Sequence, residues 1–247
     1  MGVRIKFRID RYNRVSSTND VCMKAAGEGA TEGLVVSARF QEQGRGQRGN
    51  SWESEEGLNL TFSILLRPSF LRVENQFLLS KLASVAICDW LTGKVDRVAV
   101  KWPNDIYIGN CKVAGILIEN CFCSSFIEVS VVGIGLNLNQ RQFSSDLPNP
   151  TSVALSTGKY YQPDEVLEEL IECVSARYCQ LAEGHTDQLS NDYFNLLYRK
   201  DTYCLYRGKE GDFLAKIHGI KPSGELMLET DTGEIKAFGF KEVSFVI

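Results

Sequence analysis

The stretch Lys101-Trp-Pro-Asn-Asp-Ile-Tyr-Ile-Gly-Asn-Cys-Lys112 constrains the chain more than any other. Gly109-Asn110 stands between two apolar runs and signals a two-residue hairpin, because Gly and Asn reach the backbone angles such a turn demands. With an unbroken ladder, Ile108 opposes Cys111, Tyr107 opposes Lys112 and Asp105 opposes Ala114. Asp105 and Lys112 are then diagonal neighbours on one face, roughly 7–8 Å apart at Cα, a gap that long side chains close. A lysine at a strand mouth commonly snorkels as an edge charge. Paired with Asp105 and aimed into a cleft, it can instead neutralise a reacting anion.

The next strand contains Val131-Val-Gly-Ile-Gly-Leu-Asn137. Gly133, Gly135 and Asn137 share one face by the two-residue alternation of a strand. Glycine weakens a strand and marks a bend, a bulge or the close approach of a ligand. A bare floor ending in an amide suits a flat polar ring, since Asn offers both a donor and an acceptor. Gly115, on the preceding strand, adds another bare position.

Around these two strands the pattern predicts a strand over 4–9, then a helix over 19–28 with N-cap candidates in Ser16-Ser17-Thr18-Asn19. Strands follow over 33–40 and 58–66, and a helix over 74–91 by its apolar spacing. Further strands are expected over 98–108, 111–119 and 126–138, and a loop over 140–162. Pro163 opens a helix running to about 182, and a last helix spans 187–199. Beyond 202, short alternating runs are split by Gly208, Gly211, Pro222-Ser-Gly224 and Asp231-Thr-Gly233, which predicts a small antiparallel β module. The expected class is α+β in two units, 1–199 and 200–247.

Lys and Arg number 27 against 31 Asp and Glu, a net charge of −4. That balance argues against a general grip on nucleic acid, which needs a basic surface. Residues 1–10 lack the apolar core of a signal peptide, and no window nears the ~18 apolar residues of a membrane span. A cytoplasmic protein with no membrane association is expected. The eight cysteines include no Cys-x-x-Cys, and His185 and His218 are the only imidazoles. Reduced thiols are therefore expected. Cys88 and Cys173 read as small buried hydrophobes, while Cys121 and Cys123 could form a reactive pair.

Gly44-Arg-Gly-Gln-Arg-Gly49 matches the dinucleotide pattern G-x-G-x-x-G, but a strand follows it where that motif requires a helix. What remains is a loop carrying Arg45, Arg48 and the following Trp52. Such a loop is either a solvated basic turn or one that closes on an anionic ligand.

Together these segments resemble the biotin protein ligases, the biotin–[acetyl-CoA-carboxylase] ligases. The resemblance rests on Ser16-Ser17-Thr18-Asn19, Gln41, Gly44-Arg-Gly46 through Trp52, Lys101-Trp-Pro-Asn-Asp105, Lys112-Val-Ala-Gly-Ile-Leu-Ile-Glu119 and Gly133-Ile-Gly-Leu-Asn137. They stand in the family's order from residue 16 to about 138. The resemblance implies a mixed β-sheet catalytic domain of the biotin/lipoate ligase type followed by a small SH3-like β-barrel. It implies that biotin is held by Ser17, Thr18, Asn19, Gln41, Gly44, Arg45 and Gly46, with Gly115 lining its slot. Lys112 would bridge biotin's carboxylate and the α-phosphate of ATP. Arg45, Arg48, Trp52, Asn104, Gly133, Gly135 and Asn137 would join Lys112 in binding ATP, Asn137 reading the adenine. Lys112, Arg45 and Asp105 are the implied catalytic residues. Gln47 departs from the pattern, since better-known members carry a second arginine there that helps retain the adenylate.

The implied chemistry forms biotinyl-5′-AMP and pyrophosphate from biotin and ATP, with Mg²⁺ on the phosphates, and passes biotin to a lysine of a biotin carboxyl carrier domain. Anion meets anion in the first step. A unit charge pair at 4 Å is worth about 4 kcal/mol at an effective dielectric of 20, so several cations must converge, and Arg45, Arg48 and Lys112 are the expected cluster. A lipoate or octanoate ligase is the nearest alternative, although the Ser17-Thr18 and Gln41 matches favour a ureido ring. A non-catalytic biotin-binding regulator is the other, and Lys112 disfavours it. Residues 1–15 leave less than the ~20 residues that a helix-turn-helix needs, so no DNA partner is expected. Exposed sheet edges allow a homodimer.

Overall fold

The computed structural model describes residues 5–246, the side chain of Arg48 excepted. Its larger sheet has seven strands, β1 (Arg8–Val15), β2 (Leu34–Gln41), β3 (Leu60–Leu66), β4 (Val98–Lys101), β5 (Asp105–Ile108), β6 (Cys111–Cys123) and β7 (Phe126–Leu136). They lie in the order β1-β2-β3-β7-β6-β5-β4. Only β1 and β2 run parallel; the other neighbours are antiparallel. The class is α+β, as expected.

Helices divide unequally between the two faces. α1 (Thr18–Gly27) packs on β2, β3 and β7 through a small cluster that includes Cys22, Ala26, Val36, Leu65 and Val131. The other face is covered by α2 (Phe77–Leu91), which packs against α4 (Pro163–Ala182) and α5 (Thr186–Asn195). α2 is apolar nearly all round, as a helix sandwiched between a sheet and other helices must be. Because α1 covers only part of its face, the rest of that face stays open for a site.

The C-terminal strands β8 (Cys204–Gly208), β9 (Gly211–Ile220), β10 (Leu226–Thr230), β11 (Ile235–Phe238) and β12 (Ser244–Phe245) form a separate antiparallel sheet, ordered β11-β10-β9-β8-β12. It stands where the SH3-like unit was expected. Trp102 Nε1 donates to Gly224 O at 2.9 Å, and the Trp102 and Phe240 rings meet at 5.3 Å. The smaller sheet is thereby fixed beside the loop that joins β4 to β5. No helix among the described residues is long and apolar enough to cross a membrane.

Several expectations need correction. Of the strand expected over 4–9, residue 4 lies outside the described residues; among the others the strand begins only at Arg8 and runs to Val15, an edge strand with mostly exposed side chains that hydrophobic alternation marks poorly. The single strand expected over 98–108 is two strands, because Pro103 has no N–H to continue a ladder. The 140–162 loop contains a short helix, α3 (Val153–Thr157), whose N-cap Ser152 accepts from Leu155 N at 3.1 Å.

Candidate active site

The site is built on one row of paired residues that crosses the large sheet. Cα partners run Tyr12–Ala38–Thr61–Gly135–Gly115–Asp105–Lys101 from β1 to β4. Directly paired residues share a face, so the two glycines form a bare floor with Thr61 on one side and Asp105 and Lys101 on the other. One step along the strands, Ser63 pairs with Gly133, which pairs with Leu117.

The hairpin carries an irregularity that the sequence did not disclose. Ile108↔Cys111 and Tyr107↔Lys112 pair as expected, but Ile106 then faces Ala114, and Asp105 faces Gly115 rather than Ala114. Val113 is the extra residue, and both Val113 and Ala114 are buried in the core. Strand side chains alternate, so without this bulge Lys112 and Gly115 would point to opposite faces. With it they share the floor, and Lys112 Nζ lies 2.6 Å from Asp105 Oδ1.

The glycines are bare for identifiable reasons. A Cβ at Gly133 would collide with Asn19 Oδ1, so that position makes room for the start of α1. A Cβ at Gly135 would run into the Trp52 indole, and one at Gly115 would sit 3.1 Å from Trp52 Cζ3. Trp52 therefore lies flat on the floor, with Lys112 Nζ 5.7 Å from its ring centroid.

At the α1 end the polar groups are already organised. Gln41 Oε1 accepts from the Thr18 amide at 2.7 Å and from Thr18 Oγ1 at 3.0 Å. Ser63 Oγ lies 2.7 Å from Thr18 Oγ1 and 2.6 Å from Asn19 Oδ1. Asn19 Nδ2 donates to Glu119 Oε2 at 2.7 Å. Ser17, Thr18 and Asn19 are all buried. Ser63 was missed by the sequence reading. Its signal was a hydroxyl in phase with Thr61 on the face of β3 opposite Phe62 and Ile64.

The Gly44–Trp52 loop is a small hairpin of its own. Trp52 N donates to Gly44 O at 2.8 Å, and Gly46 N to Asn50 O at 2.7 Å. Arg45 donates to Asp20 Oδ1 at 2.5 Å and to Glu119 Oε2 at 3.1 Å. Of the expected cationic cluster, Arg45 and Lys112 both line one cavity over the floor and are each matched with carboxylates, and Arg48's side chain lies outside the described residues.

Two cavities open on this floor. The first is lined at one end by Ser17, Thr18, Asn19 and Gln41, and on its floor by Gly115, Gly133 and Gly135. Arg45, Gly46, Gln47 and Asn104 also line it. So does Lys241 of the smaller sheet, a contribution that sequence reasoning did not find. Gly44 does not line it; a Cβ there would strike the Trp52 carbonyl. The second cavity is walled by Lys101, Tyr107, Asn137, Phe143, Pro148 and Phe245, among others. Asn50, Ser51, Trp52, Asp105 and Lys112 line both. Asn137 thus belongs to the second cavity. Its Nδ2 donates to Thr151 O at 3.0 Å, while its buried Oδ1 and the buried Trp52 Nε1 have no hydrogen-bond partner. Asn104 Nδ2 donates to Ile116 O at 2.5 Å, and Tyr193 Oη to Pro103 O at 3.0 Å, fixing the loop between β4 and β5.

The remaining polar chemistry lies elsewhere. Among the described residues no group of three or more His, Cys, Asp and Glu side chains could hold a metal ion. All eight cysteines are free; burial pushes the Cys22 thiol up to about 12 and raises that of Cys88. His185 and His218 make only long contacts to glutamates and do not line either cavity.

The two cavities thus adjoin at the Lys112–Asp105 pair, with Trp52 between them. Residues 12–137 match the biotin/lipoate A/B protein ligase family. The chain belongs to that family. Relatives that match along its length include biotin ligases. It is 31% identical to the biotin–[acetyl-CoA-carboxylase] ligase of Paracoccus denitrificans, over 89% of this chain and 93% of that one. It is 30% identical to the bifunctional ligase/repressor BirA of Bacillus spizizenii, over 91% of this chain and 70% of that one. The structure of the Aquifex aeolicus biotin protein ligase in complex with biotin and ATP superposes with a TM-score of 0.80 at 26% identity, covering 97% of this chain and 98% of that one.

Proposed function

We propose that this chain activates biotin with ATP to biotinyl-5′-AMP and transfers the biotinyl group to a lysine of a biotin carboxyl carrier domain. The observation that carries this reading is the junction. Two cavities of different character share Trp52, Asp105 and Lys112, so a carboxylate from one and a phosphate from the other would meet at the Lys112 ammonium. The first cavity ends in hydroxyl and amide groups suited to a ureido ring. Asn137, which lines the second cavity, has an orphan acceptor in its Oδ1, and Trp52, which lines both cavities, has an orphan donor in its Nε1. A buried polar group without a partner costs about 1–3 kcal/mol, which a flat ring with complementary groups, such as adenine, would recover.

In the first step a carboxylate oxygen of biotin forms a bond to the α-phosphorus. The bond from that phosphorus to the bridging oxygen breaks, and pyrophosphate leaves with the electron pair. Lys112 offsets the charge of both reacting anions, acting where it is partly shielded from water. Arg45 would add its charge by exchanging Asp20 and Glu119 for the ligand. Mg²⁺ would arrive on the nucleotide, where it neutralises phosphate charge. Such an ion commonly takes only one or two protein carboxylates, and Asp105 and Glu53, both lining the second cavity, fit that modest demand. In the second step the acceptor amine attacks the anhydride carbonyl and AMP leaves; Asp105, which lines both cavities, would take the amine's proton. The smaller sheet, with the division near Lys200, closes the second cavity through Phe245 and the first through Lys241.

Biotin-dependent exchange of label between pyrophosphate and ATP tests this. Exchange with biotin and none with lipoate is expected. Folded protein without exchange would refute the adenylation chemistry.

A further inference from the structure

The second cavity contains a cation, Lys101, that neither reaction step engages. Lys101 ends the row that forms the floor, paired with Asp105 and therefore on the site's face of the sheet. Two strand spacings, roughly 10 Å, separate it from Gly115. Its ammonium lies 5.3 Å from the Tyr107 ring centroid and 5.7 Å from that of Phe245. Those aromatic faces hold a cation without neutralising it. No carboxylate among the described residues lies within ion-pair distance of it, whereas Lys112 has Asp105 and Arg45 has two partners. Apart from the shared Lys112, Lys101 is the basic side chain lining the second cavity among the described residues. It is half-buried, and desolvation lowers its pKa, so the charge is held at a cost that an anion would relieve.

We propose that Lys101 binds the β- and γ-phosphates of ATP and receives the leaving pyrophosphate. This rests on the ligase reading. With the α-phosphorus at Lys112, the triphosphate must extend from the junction away from the first cavity. The neighbouring cation on the same face in that direction is Lys101. The charge that accumulates on the bridging oxygen as its bond to the α-phosphorus breaks then develops on the Lys101 side of the junction.

The test is the biotin-dependent exchange reaction of the full chain with Lys101→Met and Lys101→Arg. Lys101→Met should raise the KM for ATP and for pyrophosphate about tenfold or more, as expected for loss of a charge-assisted contact. The KM for biotin should stay within about twofold, and a non-hydrolysable biotinyl-AMP analogue, which lacks the β- and γ-phosphates, should bind as tightly as before. Lys101→Arg should restore most of the loss, since the charge is retained. An unchanged KM for pyrophosphate overturns the proposal. So does an equal loss of analogue affinity, which marks general damage to the site. Normal exchange with a raised KM for the acceptor domain overturns it too, assigning Lys101 to the acceptor. If Lys101→Met does not fold, Lys101→Gln is judged by the same ratios. Wild-type protein with no exchange overturns the ligase reading and this inference together, whereas the other failures overturn the inference alone.

Discussion

Lys112 Nζ lies 2.6 Å from Asp105 Oδ1, the two residues sharing one face of the β5–β6 hairpin. The bulge at Val113 brings Gly115 onto the face that Lys112 and Asp105 share. Asp105 also keeps the ammonium oriented over the junction while no anion is bound. Lys112→Ala should therefore reduce biotin-dependent exchange by orders of magnitude, with the fold intact by circular dichroism. Near-normal exchange would remove Lys112 from the centre of the chemistry.

Trp52 occupies the glycine floor itself, over Gly115 and Gly135, with its Nε1 buried and unpartnered. A ligand entering the slot must move the indole or seal it against a new surface. Adding biotin should shift the intrinsic fluorescence of the wild-type protein, and Trp52→Phe should abolish most of the shift. Gly135→Ala forces a Cβ into the indole, so it should change the starting spectrum and weaken biotin binding. Identical spectra with and without saturating biotin would show that Trp52 is indifferent to the slot.

Much of this site was legible in the sequence, and the reason is local. The Gly109-Asn110 turn, the Lys112–Asp105 pairing and the shared face of Gly133 and Gly135 all follow from turn chemistry and a two-residue period. The bulge was not legible, because nothing in Lys112-Val-Ala-Gly115 distinguishes an extra residue from a regular one. Only packing decides it, by burying both Val113 and Ala114. What Gly133 makes room for was not legible for a related reason. Parity revealed a bare position, but the occupant, Asn19, comes from a segment more than 100 residues away. Lys241 and Phe245 escaped notice because their place beside the site depends on how the smaller sheet docks at Trp102, a contact between sequence-distant residues.

Gln47 lines the first cavity, on a loop whose Arg45 is bound to Asp20 and Glu119. That loop therefore offers the adenylate fewer uncommitted cations than an arginine at 47 would provide. Gln47→Arg should slow the release of biotinyl-AMP, by roughly threefold to tenfold if one new charge-assisted contact forms. Release is followed by trapping the free adenylate in a pulse-chase. An unchanged rate would mean that position 47 does not face the phosphate in the complex.

Lys81 carries the last prediction, and it concerns stability rather than chemistry. It sits in α2 at 7% exposure, its ammonium donating to Ser190 Oγ at 2.9 Å and lying 5.9 Å from the Phe77 ring centroid. No carboxylate among the described residues forms an ion pair with it. Desolvation lowers its pKa, so in the interval below the ordinary lysine value the unfolded chain binds this proton more tightly than the folded one. The wild-type protein should accordingly gain stability as pH rises from its folded-state pKa toward ~10.4. Lys81→Met keeps the length of the stem and removes the buried charge. Removing a buried, unpaired charge is expected to stabilise the fold, and for a chain of this size about 1 kcal/mol raises Tm by roughly 2–4 °C. Melting curves at pH 7 and pH 9.5 should show the variant ahead at the lower pH, with the gap narrowing at the higher one. A variant that melts well below the wild type at both values would mean that the Lys81–Ser190 hydrogen bond outweighs the cost of burying the charge.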